Sequence, residues 1–318
     1  MTTASTDNAH DLLGLQGMEA PGLRAILAPA GRLAENRKAF GQPLAGRTVA
    51  NLFFEDSTRT RVSFTIAAQA LGMHVVQFGE QGSSVSKGES LIDTARTIEA
   101  LGVEALVVRH ASAGAAKLVA DHVGVPVINA GDGAHEHPTQ GLLDILTLAE
   151  AHGRVGDFDL SGLQVAIVGD VAHSRVARSA IAGMTTLGAQ VVCAGPASLC
   201  PDGMTALGCG VERDLDAVIG SVDAVMALRM QFERGAGFGE GVDSAREYAR
   251  RYGLTAERAG RMKAGAVVMH PGPMNRGLEI ESVVADGPSS VVLRQVALGV
   301  PVRMAALLWC VTGEAAAI

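Results

Sequence analysis

Hydroxyl and cationic side chains follow an apolar run near the start of the chain, in a pattern suited to binding a phosphate. The segment after the run 48–54 includes Ser57-Thr58-Arg59-Thr60-Arg61. It opens a helical stretch, and the first N–H groups of a helix attract anions because they lack intrahelical partners. Arginine adds a planar two-pronged donor, and the hydroxyls donate without adding charge. The alternative is an ordinary helix start, capped by Ser57 or Asp56, with solvated arginines.

Three further segments place polar side chains near glycines or at the ends of apolar runs. Residues 82–89 contain Ser83 and Lys87, which a mobile loop could carry to an anion as a lid. The alternative is an exposed loop with an ordinary surface lysine. Arg109 ends the apolar run 103–109. An open α/β sheet binds its ligands at the carboxyl ends of its strands, so Arg109 could contact a ligand there. The alternative is that the arginine reaches solvent. Arg229 follows the run 224–228 in the same way and leads into a glycine-rich loop.

The segment 131–141 joins a strand to a helix, with Pro138 suited to the first helical position. His137 beside an anion site can donate to a developing oxyanion, and Gln140 can hydrogen-bond an amide. Zinc is disfavoured, because the side chains of residues 135–137 alternate within one turn and no third ligand has recognisable spacing. We therefore expect no metal.

Two segments in the second half of the chain bear on the type of site. One argues against a dinucleotide-binding enzyme, and the other is a turn whose carbonyls could face a ligand. Residues 168–175 follow a strand but lack GxGxxG, and His173 and Arg175 occupy the turn that a pyrophosphate would need empty, so a dinucleotide enzyme is disfavoured. A nucleotide kinase lacks its GxxxxGK segment. Residues 270–277 form a turn fixed by two prolines, whose carbonyls could face the same cleft or which could simply be a rigid loop.

Short β-branched runs alternate with helical stretches along the chain, which predicts parallel sheets flanked by helices. The predicted strands are 48–54, 74–78, 103–109, 125–129, 164–168, 190–194, 224–228 and 266–269. The predicted helices are 58–71, 90–101, 113–122, 139–151, 176–187, 243–252, 256–263 and 289–312. The polar stretch 152–162 separates two α/β domains, each a doubly wound parallel sheet, with the active site in the cleft between them. We expect domains at 1–152 and 153–288, with the C-terminal helix, 289–318, packing back on the first.

Composition excludes several classes of protein. The 318 residues are 48% hydrophobic and 3% aromatic, with a formal net charge of -7, which favours two well-packed domains and disfavours nucleic acid as a partner. We expect no secretory signal and no membrane span, and hence a cytoplasmic enzyme. The four cysteines lack metal-ligand spacing, so we expect buried free thiols.

Six motifs together closely resemble those of aspartate carbamoyltransferase catalytic chains, in order and spacing over nearly the whole chain. They are Ser57-Thr58-Arg59-Thr60-Arg61, Lys87-Gly88-Glu89, Arg109-His110, His137-Pro138-Thr139-Gln140, Arg229-x-Gln231 and His270-Pro271-x-Pro273. One departure is Gly272, where many family members carry a larger apolar residue, which puts the rigidity of that turn in doubt.

The resemblance implies a carbamoyl phosphate site in the first domain and an aspartate site in the second, with no cofactor. It implies that the phosphate and carbamoyl group contact Ser57, Thr58, Arg59, Thr60, Ser83, Lys87, Arg109, His137, Gln140, Gly272 and Pro273. It assigns aspartate to Lys87, Arg175, Arg229 and Gln231. The residues expected to act in catalysis are Arg59, Thr60, Lys87, Arg109 and His137.

The resemblance also implies a homotrimer with shared active sites, since the loop of Ser83 and Lys87 enters the neighbouring subunit's site in the family. Regulatory chains or a dihydroorotase are further possible partners. Ornithine carbamoyltransferase is the nearest rival, but its family carries a cysteine in the turn that here reads His270-Pro271-Gly272-Pro273. A catalytically silent structural homologue is the remaining alternative, and the retained Arg59, Lys87, Arg109 and His137 argue against it.

Overall fold

The computed structural model describes residues 10–79, 89–230 and 242–313. Within those ranges the chain forms two compact units, each built around a parallel β-sheet. The first unit contains Pro21–Thr139, the chain up to Leu15 and the chain from Leu298 onward. The second contains Gln140–Ala297 and the short segment Gln16–Ala20. The predicted fold class, two α/β domains with parallel sheets, is confirmed.

The sheet of the first unit is formed by strands that the sequence predicts to within a few residues. In the described ranges these are β1 (Thr48–Phe53), β2 (His74–Gly79), β3 (Ala105–His110) and β4 (Val127–Asp132), in the order β2-β1-β3-β4. Helices α1 (Ala20–Glu35), α2 (Thr58–Ala70), α3 (Leu91–Ala100) and α4 (Ala115–Ala120) accompany them. Strands β1 and β3 are almost wholly buried, because interior parallel strands are covered on both faces.

The sheet of the second unit follows the same plan. Its described strands are β5 (Gln164–Val168), β6 (Gln190–Ala194), β7 (Gly210–Glu212), β8 (Ala224–Ala227) and β9 (Val267–Met269), in the order β7-β6-β5-β8-β9. Its helices include α5 (Pro138–Ala151), which begins in the first unit, and α6 (Arg175–Thr186), α7 (Leu215–Val218), α8 (Ala245–Tyr252), α9 (Ala256–Arg261) and α10 (Ser282–Ala285). The carboxyl ends of adjacent parallel strands meet at one edge, so the segments after β5 and β8 lie side by side.

Helix α11 (Val292–Thr312) ends in the first unit. There the guanidinium of Arg303 lies 5.2 Å from the centroid of the Phe64 ring, and the backbone N–H of His10 donates to the carbonyl of Cys310 at 3.1 Å. Length and composition alone would allow α11 to cross a membrane, but 78% of its apolar 18-residue window is buried inside the protein, as in a core helix. The predicted packing of the C-terminal helix on the first domain is confirmed.

Four described elements were not predicted from the sequence: α1, β7 and the four-residue helices α7 and α10. Helix α1 buries Leu23, Ile26, Leu27 and Leu33, which have helical spacing, but Pro29 lies inside it and normally argues against a helix interior. Strand β7 has three residues, too few for a hydrophobic period to be read. The prediction of free cysteines is confirmed: Cys193, Cys200, Cys209 and Cys310 are free and buried.

Candidate active site

Helix α2 begins just after β1 and carries the predicted phosphate-binding residues in its first turn. Ser57 is the N-cap residue, but its side chain forms no capping hydrogen bond to the described backbone. Ser57, one of the two caps that the sequence allows, therefore occupies the cap position without a side-chain capping bond. Thr58 and Arg59 are exposed, whereas Thr60 is only 7% exposed. The helix N-terminus, with two exposed polar side chains beside it, suits a phosphate.

Arg61, the second arginine of this segment, has a structural contact. Its guanidinium carbon lies 5.5 Å from the centroid of the Phe53 ring, at the end of β1. A cation over an aromatic face is attracted by the ring quadrupole, and the contact holds the start of α2 against the sheet. The two arginines of the motif therefore differ: Arg59 is exposed, and Arg61 packs on the strand.

Arg109 lies at the end of β3, directly opposite Phe53 in the register of the sheet. The side chain is mostly buried, and its Nη1 donates to the carbonyl of Ala130 at 2.9 Å. Its Nε lies 3.6 Å from a carboxylate oxygen of Glu55. A buried guanidinium needs a compensating charge, and Glu55 supplies it. The structure thus places Arg109 at the same sheet edge as the start of α2, as predicted from the end of its strand.

A buried carboxylate organises the loop that carries His137. One oxygen of Asp132 accepts from the amide of Asn129 at 2.8 Å and from the backbone N–H of Glu136 at 3.1 Å. The other accepts from the backbone N–H of Gly114 at 2.7 Å. These bonds fix the turn between β4 and α5, and His137 follows it with 4% of its surface exposed. His135, in contrast, is exposed, and its ring nitrogen lies 3.1 Å from Asp132.

Two arginines of the second unit follow neighbouring strands. Arg175 is the first residue of α6, where the hydroxyl of Ser174 accepts from the backbone N–H of Ala177 at 3.1 Å as a helix cap. Arg229 follows β8, and β8 pairs with β5 in parallel. The two arginines therefore follow adjacent strands, an arrangement that suits a ligand that carries negative charge.

The turn after β9 is held by side chains within it. Gly272 adopts a φ of 66°, a conformation that glycine permits, and its peptide bond to Pro273 is cis. Its backbone N–H donates to Nδ1 of His270 at 2.8 Å, and the backbone N–H of Asn275 donates to Glu279 at 2.5 Å. The loss of rigidity that a glycine could bring is thus opposed by hydrogen bonds on both sides of the turn.

Some predicted site residues lie outside the described ranges. These are Ser83, Lys87 and Gln231, together with the glycine-rich segment 235–241. Other residues emerge only from the structure, namely Glu55, Asn129, Asp132, Asp144, Glu279 and Gln295. A signal existed for Asp144, which lies one helical turn after Gln140 and accepts from its amide at 2.9 Å. Partners distant in sequence, such as Gln295, gave no such signal.

Comparison with known proteins gives a family match for each half of the chain. A family model described as aspartate/ornithine carbamoyltransferase, carbamoyl-P binding domain, matches residues 10–150. A second, described as the Asp/Orn binding domain of the same enzymes, matches residues 161–310.

This chain belongs to the aspartate/ornithine carbamoyltransferase family.

Relatives within the family cover nearly the whole chain. The aspartate carbamoyltransferase catalytic subunit of Myxococcus xanthus is 54% identical over 300 residues, 94% of this chain and 98% of its own. That of Hyphomonas neptunium is 51% identical, with 93% of each chain covered. Among solved structures, aspartate transcarbamoylase from Trypanosoma cruzi in complex with carbamoyl phosphate and aspartate has a TM-score of 0.82 at 29% identity, covering 97% of both chains. Ornithine carbamoyltransferase from Thermus thermophilus also has a TM-score of 0.82, at 27% identity, covering 95% of this chain and 98% of its own.

Proposed function

We propose that this carbamoyltransferase moves the carbamoyl group of carbamoyl phosphate to the amino group of L-aspartate. The products are N-carbamoyl-L-aspartate and phosphate, and the reaction serves de novo pyrimidine biosynthesis. The observation that carries the proposal is 54% identity, over 94% of the chain, to a protein named as an aspartate carbamoyltransferase catalytic subunit. The ornithine carbamoyltransferase of Thermus thermophilus, which has the same fold, shares 27% identity with this chain.

We assign the carbamoyl phosphate site to the first domain, proposed as residues 1–152 with 289–318. Its phosphate is bound at the start of α2 by Ser57, Thr58, Arg59 and Thr60, with Ser83 and Lys87 from the loop that follows β2. Arg109, His137 and Gln140 surround the carbamoyl group, together with the turn at Gly272 and Pro273. The buried position of Arg109 beside Glu55 supports this role, because a fixed donor stabilises charge without having to reorganise.

We assign L-aspartate to the second domain, proposed as residues 153–288, where Arg175, Arg229 and Gln231 bind its two carboxylates with help from Lys87. Two arginines that follow adjacent strands favour an anionic acceptor over the cationic side chain of ornithine. The turn after β9 contains no cysteine, unlike the turn of the ornithine enzymes.

The reaction needs no further cofactor in this scheme. The amine nitrogen of aspartate attacks the carbonyl carbon, and the carbonyl oxygen becomes an oxyanion that Thr60, Arg109 and His137 stabilise. The bond from that carbon to the phosphate oxygen then breaks, and the departing phosphate takes the proton that the amine loses. Binding both substrates in reactive geometry supplies much of the acceleration.

The assembly is proposed to be a cytoplasmic homotrimer with active sites shared between subunits. The loop of Ser83 and Lys87 would complete the site of a neighbouring subunit. Regulatory chains and a dihydroorotase are further possible partners. We propose neither nucleic acid nor a membrane as a partner, in line with the net charge of -7.

The test is carbamoyl transfer by the purified chain, with carbamoyl phosphate fixed and either L-aspartate or L-ornithine as acceptor. We expect carbamoyl aspartate and no citrulline. Citrulline would overturn the aspartate assignment, and no product from either acceptor would favour a silent homologue or a chain that requires a partner. Arg59→Ala should abolish turnover, and Arg229→Ala should raise the KM for aspartate, so wild-type behaviour of either variant would contradict its assigned role.

A further inference from the structure

A buried series of hydrogen bonds in the second unit connects Gln140 to the turn after β9. The amide nitrogen of Gln140 donates to Oδ1 of Asp144 at 2.9 Å, and the amide nitrogen of Gln295 donates to the same oxygen at 2.6 Å. The amide oxygen of Gln295 accepts from the backbone N–H of His270 at 3.0 Å. Asp144, Gln295 and His270 are each at most 1% exposed. Solvent therefore cannot replace these bonds if one partner is removed.

The same series continues into the turn itself. The backbone N–H of Gly272 donates to Nδ1 of His270, so that nitrogen is an acceptor and the ring proton resides on Nε2. Nε2 lies 3.3 Å from Oε1 of Glu279, which also accepts from the backbone N–H of Asn275. Both ends of the turn are therefore attached to one buried histidine and carboxylate pair.

The carboxylate of Asp144 fixes the orientation of two amides. Its Oδ1 accepts from the amide nitrogen of both Gln140 and Gln295. It therefore selects the nitrogen of each neighbouring amide, and the oxygen of each must point elsewhere. For Gln295 that oxygen meets the N–H of His270. Among the described residues none donates to the amide oxygen of Gln140, so that oxygen can accept from a ligand, and the carbamoyl NH₂ is a donor of the right kind.

We propose that Asp144 and Gln295 are positioning residues that make the site selective for a carbamoyl group. The inference rests on the proposed function, in which Gln140 and the carbonyls of the 270–273 turn face the carbamoyl nitrogen. Asp144 sets the amide of Gln140 with its oxygen toward that nitrogen, and Gln295 sets the turn that supplies the other acceptors. Acetyl phosphate has the same shape but carries a methyl group in place of NH₂, so acceptors placed in this way discriminate against it.

The experiment compares wild type with Asp144→Asn and Gln295→Met, using carbamoyl phosphate as substrate and acetyl phosphate as a competing ligand. An asparagine at 144 can donate as well as accept, so the amide of Gln140 loses its fixed orientation. We expect kcat/KM for carbamoyl phosphate to fall about 10- to 100-fold, because misplaced binding groups cost rate. The ratio of acetyl phosphate Ki to carbamoyl phosphate KM should fall about tenfold, while the KM for aspartate changes by about twofold or less.

The matched control is Asp216→Asn, which alters a carboxylate of the second unit that pairs with Arg258 and Arg261. It should leave kcat and the Ki to KM ratio as in wild type. An unchanged ratio in folded Asp144→Asn and Gln295→Met would overturn the inference, and if Asp144→Asn does not fold, Gln295→Met decides. Inactive wild type would instead refute the proposed function, so the two failures are distinguishable.

Discussion

One buried arginine of the candidate active site is held in a fixed position by its neighbours. Arg109 is 8% exposed, donates to the carbonyl of Ala130 and lies beside the carboxylate of Glu55. The carboxylate compensates the charge, and the carbonyl occupies one nitrogen of the guanidinium. A donor fixed in this way stabilises developing negative charge at little reorganisation cost.

Arg109→Lys should separate geometry from charge at this position. Lysine retains the charge but lacks the planar fork, whose separate nitrogens can donate to Ala130 and to the reacting oxygen from fixed positions. We expect kcat to fall about 10²-fold, the usual cost of losing one oxyanion donor. Steady-state kinetics and thermal unfolding check the result. Arg96→Lys, which changes an exposed arginine bonded to the carbonyl of His122, is the control, and equal kinetic losses in both variants would contradict the role.

At the scale of secondary structure elements, an ion-pair cluster joins two short helices of the second unit. Asp216 in α7 accepts from Arg258 at 2.7 Å and from Arg261 at 2.7 Å, both in α9. The hydrogen bond from Arg258 lowers the pKa of the Asp216 carboxyl below its usual value. Arg258 is buried and also donates to the carbonyl of Gly253 at 2.7 Å. Helices too short to be stable alone are thus held by their side chains.

Asp216→Asn should lower the free energy of unfolding by about 1–2 kcal/mol at pH 7, because the variant weakens charge-assisted hydrogen bonds. A carboxyl whose folded pKa is depressed stabilises the protein above its unfolded pKa, and that contribution is lost as pH falls through the folded pKa. The difference from wild type should therefore close below about pH 4. Urea unfolding at several pH values measures it.

The control for this pH dependence is Asp202→Asn. Asp202 pairs with Arg213, but its side chain is 89% exposed, so the pair is screened by solvent. We expect a change of about 0.5 kcal/mol or less at any pH. A gap between Asp216→Asn and wild type that stayed constant from pH 7 to pH 3 would mean that the Asp216 charge is not its cause.

Helix α11 should show a strong contrast between its two ends. Leu307 is completely buried in the first unit, whereas Leu293 is 84% exposed. Leu307→Ala should therefore destabilise the protein by about 2–5 kcal/mol through lost burial and a residual cavity. Leu293→Ala should change stability by about 0.5 kcal/mol or less. Chemical denaturation decides, and similar effects of both changes would contradict the burial of Leu307 in the first unit.

At the scale of the whole molecule, the first unit combines segments from both ends of the chain. Pro21–Thr139 and the chain from Leu298 belong to one unit, with the second unit inserted between them. The return of the C-terminal helix to the first domain was predicted from the sequence, while the proposed domain boundaries, after residue 152 and before residue 289, stay a prediction. A stop within α11 therefore removes part of the first unit rather than a tail.

A mixing experiment tests the proposed sharing of active sites between subunits. Arg59→Ala and Lys87→Ala should each be inactive alone, because each removes a cation expected to neutralise the phosphate. Hybrid trimers formed by mixing the two variants should regain activity, because some sites would combine an intact Arg59 with an intact Lys87 from the neighbour. Sedimentation should give three times the 32.7 kDa mass of the chain. Trimers without regained activity would indicate that each site uses its own Lys87.

Much of the fold was predictable because parallel strands and their helices leave a periodic apolar pattern in the sequence. Strands β5 and β6 were predicted with the bounds that the structure gives them, Gln164–Val168 and Gln190–Ala194. The polar segments at strand ends were predictable for a related reason. An arginine directly after an apolar run lies at the carboxyl end of a strand, where open α/β sheets bind their ligands. Arg109 and Arg229 were found in this way, whereas Arg175 was assigned to aspartate only through the family resemblance.

Tertiary structure alone decided which side chains meet. Nothing in the sequence connects Asp144 with Gln295, which are 151 positions apart, or Leu15 with Glu136, 121 positions apart. Ser57 occupies the cap position that its type predicts, but its side chain does not form the capping bond. Local sequence determines the helices and strands and the strand ends that carry charged residues, because periodicity and capping act over a few residues. The partners that orient those charges come from distant segments, and only the packing of the sheets brings them into contact.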